Sequence, residues 1–93
     1  MLSDTTRKAL ADRAELICRK YKLRRAYFAQ VLGKRRHFLA GFGEADYSRP
    51  EQMVLGHNIA LFWHGELNEE ARQAVMDSLG KLARTAGAEL LGK

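Results

Sequence analysis

Arg25-Ala26-Tyr27-Phe28-Ala29-Gln30-Val31-Leu32-Gly33-Lys34-Arg35-Arg36-His37-Phe38-Leu39-Ala40-Gly41-Phe42-Gly43-Glu44 is the stretch that decides the fold of this 93-residue chain. Residues 25–33 have the apolar spacing of a short helix, and Gly33 closes it because glycine takes φ > 0 and redirects the chain. A second short helix is predicted over 36–42, with Phe38, Leu39 and Phe42 apolar. Gly41 and Gly43 weaken its far end, and 43–47 becomes a loop.

Outward from this stretch the helical pattern continues on both sides. Ser3-Asp4-Thr5 starts a helix, and Leu10, Ala14, Ile17, Cys18 and Tyr21 recur at steps of three and four, which predicts a helix over 5–21. Downstream, Ser48-Arg49-Pro50-Glu51 has the form of a capping box with proline in the first turn. Met53, Val54, His57, Ala60, Leu61 and His64 then lie along one helix side, widened by Phe62 and Trp63, until Gly65 stops the run. Phe62-Trp63 is either a core anchor or part of a partner surface. Asn68 caps a last helix whose stripe is Ala71, Val75, Leu79, Leu82 and Ala86, opposite a polar face of Arg72, Asp77, Lys81 and Arg84. No segment alternates with period two for long enough to suggest a sheet. The expectation is an all-α fold: one compact five-helix domain over 1–93, in which 68–91 is a packing or dimerisation helix.

Charge adds a functional direction. The net charge is +5, unevenly spread. Residues 1–36 hold eleven Lys/Arg against three acids, and 37–93 hold five against eight. Between Arg19 and Arg36 there are eight basic residues and no acid. Such asymmetry suits phosphates, in nucleic acid or at an anionic membrane, the alternative being a solvated basic face without a partner.

Residues 25–44 also resemble the helix-turn-helix of lambda-repressor and Cro-type bacterial and phage regulators. Ala29 is small where two helices would cross, Gly33 sits in the turn, and Phe28, Leu32, Leu39 and Phe42 fill the apolar slots. More loosely, the resemblance extends over 5–64, where Ser48-Arg49-Pro50-Glu51 matches the opening of the family's next helix. Lys34 departs from the apolar residue the family usually has after the turn glycine.

The resemblance implies a five-helix domain that binds double-stranded DNA by sequence, as a small prokaryotic, phage or plasmid transcriptional regulator or repressor. Arg35, Arg36 and His37 would open the recognition helix and reach base edges. Arg24 and Arg25 would hold phosphates, with Lys22 and Lys34 adding charge and Tyr27 and Gln30 touching the backbone. A homodimer using the last helix would read two half-sites. The other class of function is a protein-interaction module, an adaptor or inhibitor whose basic N-terminal half binds an acidic partner protein.

Other chemistry finds little support in the sequence. His57 and His64 are too far apart along a helix for one ion, no Cys-x-x-Cys or His-Glu-x-x-His spacing exists, and no glycine loop has phosphate-binding spacing. The expectation is therefore no catalysis, metal, cofactor or small-molecule substrate. No apolar run approaches the ~20 residues of a membrane span, and no signal architecture opens the chain. Cys18, the single cysteine, has the setting of a buried thiol in a reducing cytoplasm, where the protein is placed by default.

Overall fold

Leu32-Gly33-Lys34-Arg35 is a hairpin turn rather than a helix junction. In the computed structural model, which describes residues 2–91, Gly33 sits at φ 61 and the flanking residues Leu32 and Arg35 pair across the turn. The strands it joins are β1 (Arg25–Leu32) and β2 (Arg35–Gly43). A second hairpin joins β3 (Glu51–Gly56) and β4 (Ile59–His64) through His57 and Asn58, both at positive φ (52 and 65), as a two-residue type I′ turn requires. Backbone bonds link the hairpins, with β1 antiparallel to β4, so the sheet order is β2-β1-β4-β3.

Two helices complete the fold. Helix α1 (Asp4–Tyr21) is capped by the Ser3 hydroxyl, which accepts from the Thr6 N–H, and ends with Lys22 in the left-handed conformation. Helix α2 (Glu69–Leu90) is capped by Asn68, whose side-chain oxygen accepts from the Ala71 N–H. Both lie on one face of the sheet, α1 against β1 and β2 and α2 chiefly against β3. The core between them contains Leu10, Ala14 and Ile17 of α1, Val75, Leu79 and Ala86 of α2, and Phe28, Leu61 and Trp63 of the sheet. At the helix ends, Glu89 of α2 accepts hydrogen bonds from the Ser3 N–H and the Thr6 hydroxyl at the start of α1.

The all-α, five-helix expectation is thus overturned, and with it the helix-turn-helix over 25–44. The proposed recognition helix over 36–42 lies within β2, the preceding helix over 25–33 is β1 and its turn, and the fourth helix is the β3–β4 hairpin. Ser48 caps no helix; it belongs to the 44–50 loop. The physical cause is a β-bulge. Phe28 pairs with Ala40 and Ala29 with Phe38, so Leu39 is the extra residue and both Leu39 and Ala40 are buried in the helix-side core. The bulge breaks the period-two pattern and leaves Phe38, Leu39 and Phe42 at a helix-like spacing. In β4 every residue is buried, so its apolar run carries no alternation at all. Among the described residues no helix is long and apolar enough to cross a membrane.

Candidate nucleic-acid interface

With both helices on one face, no element among the described residues covers the other face of the sheet. Alternation and register place Arg25, Tyr27, Ala29 and Val31 of β1 on this open face, with Ala60, Phe62 and His64 of β4 beside them. Strand β2 contributes Arg36, Phe38 and Gly41, and β3 contributes Gln52 and Val54. None of these positions is acidic.

The centre of the face is a stack of rings and guanidinium groups. Tyr27 and Phe62, directly paired across β1 and β4, lie almost parallel (9°) with centroids 5.2 Å apart. The Arg25 guanidinium carbon is 4.6 Å from the Tyr27 centroid and that of Arg36 is 4.8 Å from Phe62. These cation–π contacts hold the ends of the two long side chains over the rings. Phe62 is thereby fully buried, whereas Phe38, 5.9 Å from Tyr27, stays 58% exposed. Opposite Tyr27 stands Gly41, and a Cβ there would fall 2.5 Å from the Tyr27 Cβ. The missing side chain makes room for Tyr27.

Beside Arg36, a groove of about 440 Å³ is lined by Arg36, Arg49, Pro50, Glu51 and Gln52. Its one acid, Glu51, is paired with Arg72 of α2 at 3.4 Å. Among the described residues no carboxylate pairs with Arg25, Lys34, Arg35, Arg36 or Arg49.

The residues singled out from sequence are divided by this geometry. Arg25 and Arg36 face outward on the open sheet, Lys34 forms the hairpin turn, and Arg35 lies next to it on β2. Gln30 and His37 pair with each other and point to the helix side of the hairpin. Lys22 and Arg24 sit at the other end of β1, roughly 25 Å from the turn by strand rise. Arg24 is committed there, its Nε 2.7 Å from Asp46. Sequence reasoning missed Phe38 and Phe62 as companions of Tyr27, and Arg49 and Gln52 as companions of Arg36. They come together only through the pairing of β1 with β2 and β4, and Arg49 through the loop that precedes β3.

The 44–50 loop carries a Ser-His-Asp cluster at the end of the open face. The Ser48 hydroxyl donates to Asp46 Oδ1 at 2.6 Å and lies 3.1 Å from His64 Nδ1. With its proton committed to Asp46, the hydroxyl accepts from His64. That polarity is the reverse of an activated nucleophile, whose proton must go to the histidine. The Ser48 N–H and Arg24 also donate to Asp46, holding its carboxyl well below the usual carboxylate range. The cluster fastens the loop to β4. Comparison with protein-family models, curated proteins and solved structures gave no match.

Proposed function

We propose that this protein binds nucleic acid, with the basic β1–β2 hairpin and the open face of the sheet as its contact surface. The observation that carries this reading is a set of cations without carboxylate partners among the described residues, Arg25, Lys34, Arg35, Arg36 and Arg49, on one hairpin and the face beside it. Cations left without internal partners and gathered on one surface are the footprint of a polyanion site. No recognition helix is involved. A two-stranded ribbon is itself narrow enough for a major groove, so duplex DNA and single strands both have access to this surface. A module for an acidic protein would use the same cations but gives no role to the planar stack they cover.

Fluorescence anisotropy with mixed-sequence oligonucleotides, duplex and single-stranded, provides the test. Neutralising about five phosphates gives an expected log–log salt slope of about −3.5 for single strands and about −4.5 for duplex. Lys34→Glu with Arg35→Glu, both at exposed positions, is expected to weaken binding of either form by about tenfold or more. No binding to either form at low salt would refute the proposal.

A further inference from the structure

We infer that the open sheet face is a base-stacking platform, and that the preferred ligand is a single-stranded rather than a duplex nucleic acid. The inference rests on the nucleic-acid reading and adds what the face recognises. Charge alone draws phosphates from either form. What separates the two is the planar surface of the bases, hidden in a duplex and accessible in a single strand.

The protein side of such a contact is present in three parts. Phe38 offers an exposed ring, 58% accessible, in the middle of the edge strand β2, on the face away from the helix-side core. Tyr27 stands beside it at 5.9 Å and is itself stacked on Phe62, so the platform is backed by a fully buried ring. The Arg25 and Arg36 guanidinium groups already lie on these rings at 4.6 and 4.8 Å. A guanidinium is planar and stacks as a base does, so these contacts mark ring faces able to accept a planar group. A base can enter by stacking on the exposed Phe38 ring, or on an arginine that remains against its own ring.

Phosphates have a separate place. Arg36 and Arg49 line the groove that also contains Gln52, and the only carboxylate there is engaged by Arg72. A strand running over the face can therefore set bases against Phe38 and Tyr27 while its backbone passes Arg36 and Arg49. Nothing acidic among the open-face positions opposes that path. This complementarity selects a polyanion as occupant over a second copy of the chain, which would set one arginine-bearing, acid-free face against another.

Phe38→Ala removes the exposed ring without opening the core, and circular dichroism checks that the fold is kept. The probes are a dT oligonucleotide, a U oligonucleotide and a mixed-sequence duplex, measured at one salt concentration. The wild-type protein is expected to bind the single strands more tightly than the duplex. In Phe38→Ala, single-strand affinity is expected to fall about tenfold while duplex affinity stays within about twofold. The dT and U arms distinguish DNA from RNA as the source of the strand. Ultraviolet crosslinking of the bound oligonucleotide is expected to map to Phe38 or Tyr27. Equal affinity for single strands and duplex, or no effect of Phe38→Ala on either, overturns the stacking inference while leaving nucleic-acid binding in place. Loss of self-association in Phe38→Ala, with strand affinity intact, would assign the face to an interface between copies and also overturn it. Absence of all binding falsifies the proposed function itself and takes this inference with it.

Discussion

Asp46 shows how much one side chain organises here. Its carboxylate receives the Ser48 N–H, the Ser48 hydroxyl and the Arg24 guanidinium, and through Ser48 it is linked to the buried His64 at the end of β4. Hydrogen bonds to the charged form depress its pKa below the ordinary 3.8, with the pair to Arg24 acting in the same direction. A carboxyl with a depressed folded-state pKa contributes stability that is complete above its unfolded value and disappears as pH falls through the folded one. The wild-type protein is therefore expected to lose stability as pH falls below about 4, and Asp46→Asn is expected to show a shallower loss over that window. Urea unfolding of both proteins between pH 2 and pH 7 measures the difference. Parallel curves would mean that Asp46 has no preferential interaction in the folded state. Because the cluster ties 44–50 to β4, Asp46→Asn should also speed amide hydrogen exchange in that loop at neutral pH.

The elements differ in how legible they are. Both helices are visible in the sequence, since each has a polar cap (Ser3 and Asn68) and a stripe that one sheet face buries. The strands are obscured for separate physical reasons. The bulge at Leu39 sends two successive β2 residues into the core, and the centrality of β4 buries both of its faces. Clues to the sheet were nonetheless present: Gly41 and Gly43 are poor in a helix, and Gly56-His57-Asn58 interrupts the supposed fourth helix with turn residues. The basic cluster and Tyr27 were visible before the fold was known. Phe38 and Phe62 were not, because their shared face exists only once the strands are paired. Helix α2 offers a test of the packing through two glycines. A Cβ at Gly80 meets nothing within 4 Å, whereas one at Gly87 would lie 2.5 Å from the His57 Cβ in the β3–β4 turn. Gly80→Ala is expected to stabilise the protein by about 0.5–1 kcal/mol, as alanine is the better helix former. Gly87→Ala is expected to cost about 1–3 kcal/mol through overpacking against the turn. Denaturant midpoints of the two variants should move in opposite directions, and a common direction would contradict the placement of α2 on the hairpin.

At the scale of the whole molecule, the apolar stripe of the last helix decides how the chain holds together. From the sequence alone, Ala71, Val75, Leu79, Leu82 and Ala86 exceed what a small helical core can absorb, which argues for a twin subunit. A sheet changes that balance, because its helix-facing side offers Met53 and Leu55 of β3 and Ile59, Leu61 and Trp63 of β4. Val75, Leu79 and Ala86 are buried within the single chain, and Leu79 is wholly inaccessible. Leu79→Glu therefore places a carboxylate in the layer between α2 and the sheet. It removes the packing of a buried leucine, worth roughly 2–5 kcal/mol on truncation, and adds the cost of an unpaired buried charge. A domain of this size has a total stability on the order of 5–15 kcal/mol. The expected outcome is a protein largely unfolded or melting far below the wild type, with loss of the cooperative circular dichroism transition. Sedimentation of the same variant separates this from a dimer held by α2. A variant that keeps its wild-type melting curve while its mass halves would show that the stripe faces a second subunit. Loss of the fold at every protein concentration, restored by the volume-conserving Leu79→Met, would show that the stripe belongs to the core of one chain.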